Sequence, residues 1–278
     1  MDLSWLQSLI YGLISGLTEF FPVSAQAHQS LMIRLFGVSD VGNLTGLMVR
    51  IAVLAALFLN CRDHLEHLRR EQRLQMIPQR RRKRQPDPRK ILELRLLKFA
   101  VIPSLISFLF YTSIQQFSGN LLAIAILLIF NGIVLFYPQT VRSGNKDARN
   151  MTGFDSILLG ISGSLGLFAG LSMVGFMTSV AAVRGADHEH SLNWALLLSF
   201  PVLFVHLCID AFAVVTGGVG TMGVMVLIGY ALATVGAFLG ASIALRMMRS
   251  FSRKVGFSGF SYYCWGAALF TFIMFLNI

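Results

Sequence analysis

The stretch Ser15-Gly16-Leu17-Thr18-Glu19-Phe20-Phe21-Pro22-Val23-Ser24-Ala25-Gln26-Ala27-His28 sits inside an otherwise apolar segment, Leu3–Gly37. Pro22 lacks a backbone donor and has a fixed φ, so a single helix cannot run through it undisturbed. Ser24 follows at a place where a second helix can start. Glu19 stands just ahead of this break, at a depth where an ionised carboxylate costs about 2.5–3.5 kcal/mol or more unless paired. Such a segment reads as a re-entrant hairpin. Non-helical backbone at membrane depth is tolerated only against protein or beside a wet cavity.

A second segment, Ile157–Val183, has the same character and breaks at Ala169-Gly170-Leu171-Ser172. Aligning Gly12 with Gly160 also matches Leu17 with Leu165, Phe20 with Phe168 and Ser24 with Ser172, and sets Val23 opposite Leu171. The breaks therefore fall at the same place in two related hairpins. Between and after them run apolar spans at about Leu44–Leu59 (interrupted by Arg50), Leu96–Ile114, Leu121–Tyr137, Trp194–Val215, Met222–Leu245 and Phe260–Asn277. Each is near the ~20 residues that cross a bilayer as a helix. Only 13% of the 278 residues are charged, about half the fraction of a soluble domain. Strand-like alternation is absent, which argues against a β-barrel. The fold expected is an all-α polytopic membrane protein with an inverted repeat, each half a re-entrant hairpin plus three transmembrane helices. The whole chain is one membrane domain, with repeat one at about 1–138 and repeat two at about 151–278.

Loop charge sets the orientation. Eleven Lys or Arg lie between Cys61 and Lys90, including Arg80, Arg81, Arg82, Lys83 and Arg84. In a membrane protein such a block marks a cytoplasmic loop, here 61–94, and does not call for nucleic acid. Anionic headgroups are a further contact for it. The loop Gln139–Asn150, with Arg142, Lys146 and Arg149, and the group Arg246, Arg249, Arg253 and Lys254 fall on the same side. The uncharged links Gln115–Asn120 and Gly217–Gly220 fall on the other. By this parity the two hairpins enter from opposite faces and both termini are external. The N-terminal stretch has no basic region ahead of its apolar run, so no cleaved leader is expected.

Glu19 is a catalytic or ion-binding group, or a carboxylate at a wet interface or helix cap. Ser24 marks a helix start whose amides can hold an anion. His28 is a proton carrier or a structural histidine. Arg50 either faces the cavity and binds phosphate, or snorkels, or pairs with a carboxylate such as Glu19 or Asp210. Asp187-His188-Glu189-His190 looks like a metal-binding tract, although its place just outside a span favours a solvated loop. Cys61, Cys208 and Cys264 have no metal-like spacing.

Gly16–Ser24, read as Gly-Leu-Thr-Glu-Phe-x-Pro-Val-Ser with His28 four residues on, resembles the membrane-embedded undecaprenyl-diphosphate phosphatases of bacterial cell-wall synthesis. Leu196–Pro201 also looks like that family's following helix. The resemblance covers nearly the whole chain. It implies a polyprenyl diphosphate or phosphate lipid as ligand, removal of the terminal phosphate as reaction, and the bacterial plasma (inner) membrane as location. It implies Glu19, Ser24 and His28 as the catalytic set and Ser15, Gly170, Ser172, Met173 and Gly175 as substrate-binding positions; Arg50, from its own place in an apolar span, is a further substrate-binding candidate that could bind phosphate in place of the arginine missing at Met173. A divalent cation, Mg²⁺ or Ca²⁺, is the cofactor to test, with Glu19 as its ligand. A homodimer is compatible with the chain.

The departures bear on activity. Where the family has two glutamates four apart, this chain has Ser15 and Glu19. A second family serine is Ala25. The family's Pro-Gly-x-Ser-Arg-Ser-Gly is here Ala169-Gly170-Leu171-Ser172-Met173-Val174-Gly175, with Met173 in place of the arginine. Transferring oxygens need a cation or strong donors, and one carboxylate is a poor metal site. The expectation is a diphosphatase weakened or lost. The alternatives are a non-catalytic binder or flippase of a polyprenyl phosphate, and an ion-coupled transporter of a small solute.

Overall fold

The computed structural model describes residues 3–39, 41–82, 84–110, 114, 118–140, 146, 150–217, 224–254 and 257–277. These residues form ten α-helices: α1 (Trp5–Phe20), α2 (Ala25–Leu35), α3 (Asn43–Met76), α4 (Pro88–Ile106), α5 (Leu121–Phe136), α6 (Gly153–Ser164), α7 (Met173–Val183), α8 (His188–Gly217), α9 (Val224–Lys254) and α10 (Gly259–Leu276). Lys146 and Ala186 form an isolated bridge, and no strand occurs among the described residues. α3, α5, α8, α9 and α10 are long and apolar enough to cross a bilayer. Their large apolar side chains, such as Phe130, Ile133, Leu239 and Leu269, are exposed, as on a lipid-facing surface. The chain folds as an all-helical polytopic membrane protein.

Several boundaries differ from the sequence reading. The span expected at Leu96–Ile114 is helical from Pro88 to Ile106 and tightens into a 3-10 turn at Ser107–Phe110. Arg89, Lys90, Glu93, Arg95 and Lys98 lie within it, and residues 111–113 are outside the described set. Its early start is supported by ion pairing: Glu93 takes Lys90 Nζ at 2.8 Å and His64 Nε2 of α3 at 3.0 Å. α3 continues 17 residues past Leu59. Asp187–His190 is a helix start and not a loop: Asp187 Oδ1 accepts from His190 N at 2.8 Å, and α8 begins at His188. Much of the loops read for orientation, 115–117, 141–145, 147–149 and 218–220, lies outside the described residues.

Each hairpin opens on a capping box, which satisfies orphan helix amides reciprocally. Ser4 and Gln7 form one, Thr152 and Asp155 the other. These pairs have the same spacing as Gly12 and Gly160. Both glycines lie in backbone contact with another helix. A Cβ on Gly12 would meet Ala233 O at 2.0 Å, and one on Gly160 would meet Ala100 O at 2.2 Å. Small residues of this kind let membrane helices approach closely.

The halves exchange partners. α1 packs on α9, and α6 on α4. α3 meets α8, and α5 meets α10. Helix ends fall into two sets. In one, Asn43 Nδ2 donates to Ala213 O (3.3 Å), and Arg34 Nη2 at the end of α2 donates to Gly119 O (2.7 Å). In the other, Arg249 donates to Asn60 O, Arg253 pairs with Glu189 (3.0 Å), Asp155 at the start of α6 pairs with Arg184 just past α7, and Lys146 N donates to Gly185 O (2.8 Å). Between Asn43 and Asn60, α3 separates the sets by about 26 Å at 1.5 Å per residue.

Candidate functional site

The two hairpin breaks touch. α1 ends at Phe20, and Ser24 caps α2 with φ 69°, the only positive φ outside glycine among the described residues. Ser24 Oγ accepts from Ala27 N (3.4 Å) and from Gly170 N of the other break (2.9 Å). In return Ser172 Oγ donates to Phe21 O (3.3 Å) and accepts from Gly175 N (3.1 Å). Asn131 of α5 joins both: its Nδ2 donates to Pro22 O (2.9 Å), and its Oδ1 accepts from Ser172 N (2.9 Å). The sequence reading missed Asn131, whose signal is a lone carboxamide in the apolar run Leu121–Phe136. These bonds satisfy the Gly170, Ser172 and Gly175 amides inside the protein, as buried backbone donors require. The amides expected to receive phosphate at Gly170 and Gly175 already have protein acceptors.

Beside the breaks lies a polar cleft made of two adjoining cavities, both lined by Gln26, Gln29 and Arg50. The inner one, about 20 Å³, is also lined by Thr18, Glu19, Ser172, Met173 and His206. That is room for about one water. The outer one, about 260 Å³, is lined further by Tyr11, Ser30, Asn43, Ser118 and Asp210, and it reaches the helix ends near Asn43 and Ala213. Arg50 Nε donates to Asp210 Oδ2 at 2.8 Å, and its Nη1 donates to His206 Nδ1 at 3.1 Å. That bond leaves the ring proton of a neutral His206 on Nε2. Of the alternatives open for Arg50, the structure adopts pairing with Asp210 while leaving Arg50 in the cleft wall.

The sequence-selected residues thus divide. Glu19, Arg50, Ser172 and Met173 line one cleft. Ser24 lies between the breaks, 1% exposed. Ser15, one turn before Glu19, is fully buried, and its Oγ has no partner among the described residues. His28 does not line the cleft. It faces a separate apolar groove with Leu31, Met32 and Phe270. There its Nδ1 donates to Ser24 O (2.8 Å), and its Nε2 accepts from Tyr263 Oη (2.7 Å). Gln26, Gln29 and His206 are cleft residues that the sequence reading did not select. Gln26 and Gln29 are three apart and share a helix face, which His28 does not.

Among the described residues no three His, Cys, Asp or Glu side chains come together as a metal site. Mg²⁺ and Ca²⁺ take about six or more oxygens. Glu19 offers one carboxylate, and that of Asp210 is engaged by Arg50. The residues present do not fit a protein-built divalent-cation cage.

The family described as bacitracin resistance protein BacA has a model that matches residues 8–270. This chain belongs to the BacA family. It is similar to the undecaprenyl-diphosphatase of Carboxydothermus hydrogenoformans, 27% identical with 93% of each chain covered. It is similar also to that of Methanobrevibacter smithii, 25% identical with 96% of each covered. The match to the Campylobacter concisus undecaprenyl-diphosphatase is 29% identical over 71% of this chain and 72% of the other. The BacA-family chain therefore has undecaprenyl-diphosphatase relatives along nearly its full length, and its apolar helices make it a multi-pass membrane protein.

Proposed function

We propose that this BacA-family protein binds a polyprenyl phosphate or diphosphate lipid in the cleft beside the hairpin breaks, with diphosphatase activity weakened or lost. The observation that carries this reading is Met173. It stands at the first residue of α7, where the resemblance expects a phosphate-clamping arginine, and its buried side chain lines an inner cavity of only about 20 Å³. Arg50 is the only cation lining either cavity among the described residues, and it is already paired with Asp210. Losing a single donor to a developing oxyanion costs about 2.7–4 kcal/mol in the transition state. Without that clamp, Glu19 can still hold or move a proton beside a bound phosphate, and Arg50 can still attract it. A bound lipid that is not cleaved suits a binder or flippase.

The halves are read as an inverted repeat within one membrane domain, with residues 1–138 and 151–278 as its units. Supporting this, α2 ends in one set of helix ends and α7 in the other, and each hairpin packs on the opposite half. The basic segment 61–94, expected as a loop but helical over 61–76 and 88–94, is assigned to the cytoplasmic side of a bacterial plasma membrane, with both termini outside.

The test is a restoration series on the purified chain. Wild type should release phosphate from farnesyl diphosphate well below about 1 per second, the low end of ordinary turnover. Met173→Arg should raise release, and Met173→Arg with Ser15→Glu should exceed the two single changes combined, because such groups act as a unit. Wild-type turnover within about 1–10³ per second refutes the weakened activity.

A further inference from the structure

We infer that the outer cavity is a headgroup subsite for a polyol, so that the lipid held here is a polyprenyl phosphodiester carrying a sugar-like group. The inference rests on the proposed polyprenyl-phosphate reading and names its substrate class.

Charge is the first ground. The charged side chains lining the two cavities among the described residues are Glu19, Arg50 and Asp210. Arg50 is the single cation among them, and it is bonded to Asp210 at 2.8 Å. A terminal phosphate monoester alone carries about −1.5 to −2, and a diphosphate more. One cation that already shares its charge with Asp210 cannot balance it. A phosphodiester bears a single charge, which one arginine can meet.

Hydrogen-bonding capacity is the second. Ionised phosphate oxygens only accept, and Arg50 can serve them. Gln26 Oε1 is itself an acceptor, buried and without a partner among the described residues. A buried unsatisfied acceptor is costly, and in this orientation of the Gln26 amide an ionised phosphate oxygen cannot satisfy it. A hydroxyl can, because it donates and accepts. Gln29 is on the same face, so two carboxamides offer paired donors and acceptors toward the same space. Tyr11, Ser30, Asn43 and Asp210 also line the wall, beside apolar Ile33 and Val41, and such a mixture of hydroxyl, amide, carboxylate and apolar groups suits a ring of hydroxyls better than a bare anion.

Size is the third. About 260 Å³ is some eight or nine times the ~30 Å³ share of one water, ample for a hexose. The inner cavity is too small for a second phosphate group. In this arrangement the phosphodiester sits at Arg50, and the polyol extends toward Asn43.

The experiment measures affinity of the full chain in detergent micelles for farnesyl phosphate, farnesyl diphosphate, farnesyl phosphoryl-mannose and free mannose 1-phosphate. The mannosyl diester should bind about tenfold tighter than either farnesyl phosphate or diphosphate, a gain that two ordinary hydrogen bonds can supply. Gln26→Leu and Gln29→Leu should each shrink that ratio to about threefold or less, while Arg50→Gln should weaken all three lipids. Equal binding of the mannosyl diester and farnesyl phosphate overturns the polyol subsite and leaves the lipid-phosphate reading standing. A preference that survives both glutamine changes also overturns it. Mannose 1-phosphate binding as tightly as its lipid form refutes the lipid-linked ligand. No binding of any lipid phosphate sinks both readings together.

Discussion

The two hairpins share a scaffold and differ in chemistry. Ser4 and Thr152 start them with the same reciprocal cap, Gly12 and Gly160 dock them by backbone contact, and Ser24 and Ser172 cap their second helices. At the turn, hairpin two uses Gly170 with φ 116°, where a Cβ would also lie 2.5 Å from Leu127 Cβ. The aligned position in hairpin one is Pro22, whose ring forbids positive φ. The left-handed residue there is Ser24 instead, a conformation that costs roughly 1–2 kcal/mol for a non-glycine residue. Around the turns the difference widens. Hairpin one brings Glu19, Gln26 and Gln29 to the cleft, whereas hairpin two brings Met173 and the capping Ser172. Docking contacts and second-helix caps recur in both hairpins, while the turn differs and cleft-facing polarity is concentrated in one. Scaffold and chemistry are therefore separable, as expected when function lives in a site carried on a fold.

The largest effect expected is all or none. If the hairpins enter from opposite faces, single cysteines placed near their exits must differ in access. In a chain stripped of Cys61, Cys208 and Cys264, Ser39→Cys should react with an impermeant maleimide in intact cells. Glu189→Cys and Arg81→Cys should react only after lysis. Reaction of residue 81 or 189 in intact cells, or equal access at all three, breaks the comparison at its root.

A smaller but substantial effect tests whether the docking is equivalent. Gly12→Val and Gly160→Val each drive a side chain into a backbone carbonyl, so each should cost more than the ~1–3 kcal/mol of ordinary overpacking. The readout is the thermal midpoint in detergent and the monodisperse fraction. A tolerated valine at one glycine alone would show that the two docking contacts are not alike.

The smallest effect concerns the caps. Asp155 is fully buried and serves both its cap and Arg184, whereas Gln7 serves only an exposed cap. Asp155→Asn should destabilise by about 2–3 kcal/mol, below the ~3–5 kcal/mol of a fully buried pair because Arg184 is part-exposed. Gln7→Leu should cost about 1 kcal/mol or less. Equal losses in chemical denaturation would mean that the ion pair to Arg184 adds nothing.

Much of this was legible in the sequence. Pro22 and the small residues at 169–172 announced the breaks because a helix cannot pass them. The Gly12/Gly160 match picked out two positions that both dock by backbone contact. Arg50, the lone cation in an apolar span, announced a partner, and Asp210 was among those weighed. The cleft was less legible. His28 follows Glu19 closely in sequence, yet α2 turns it toward Tyr263, while Gln26 and Gln29 face Glu19's cavity. Helical spacing tells which residues share a face of α2, but not which face is docked inward.

What the sequence determined by itself is the class of molecule: apolar helices of membrane length, two broken hairpins and a basic segment, all consequences of local composition and of residues that permit or forbid helix. What only the tertiary structure decided is which groups meet. Ser24 lies 146 residues from Gly170, Asn131 lies 109 from Pro22, and Arg50 lies 160 from Asp210. Local propensity carries no term for such pairs. They are selected when the halves exchange partners, because buried donors, acceptors and charges in an apolar interior must find one another wherever the chain places them.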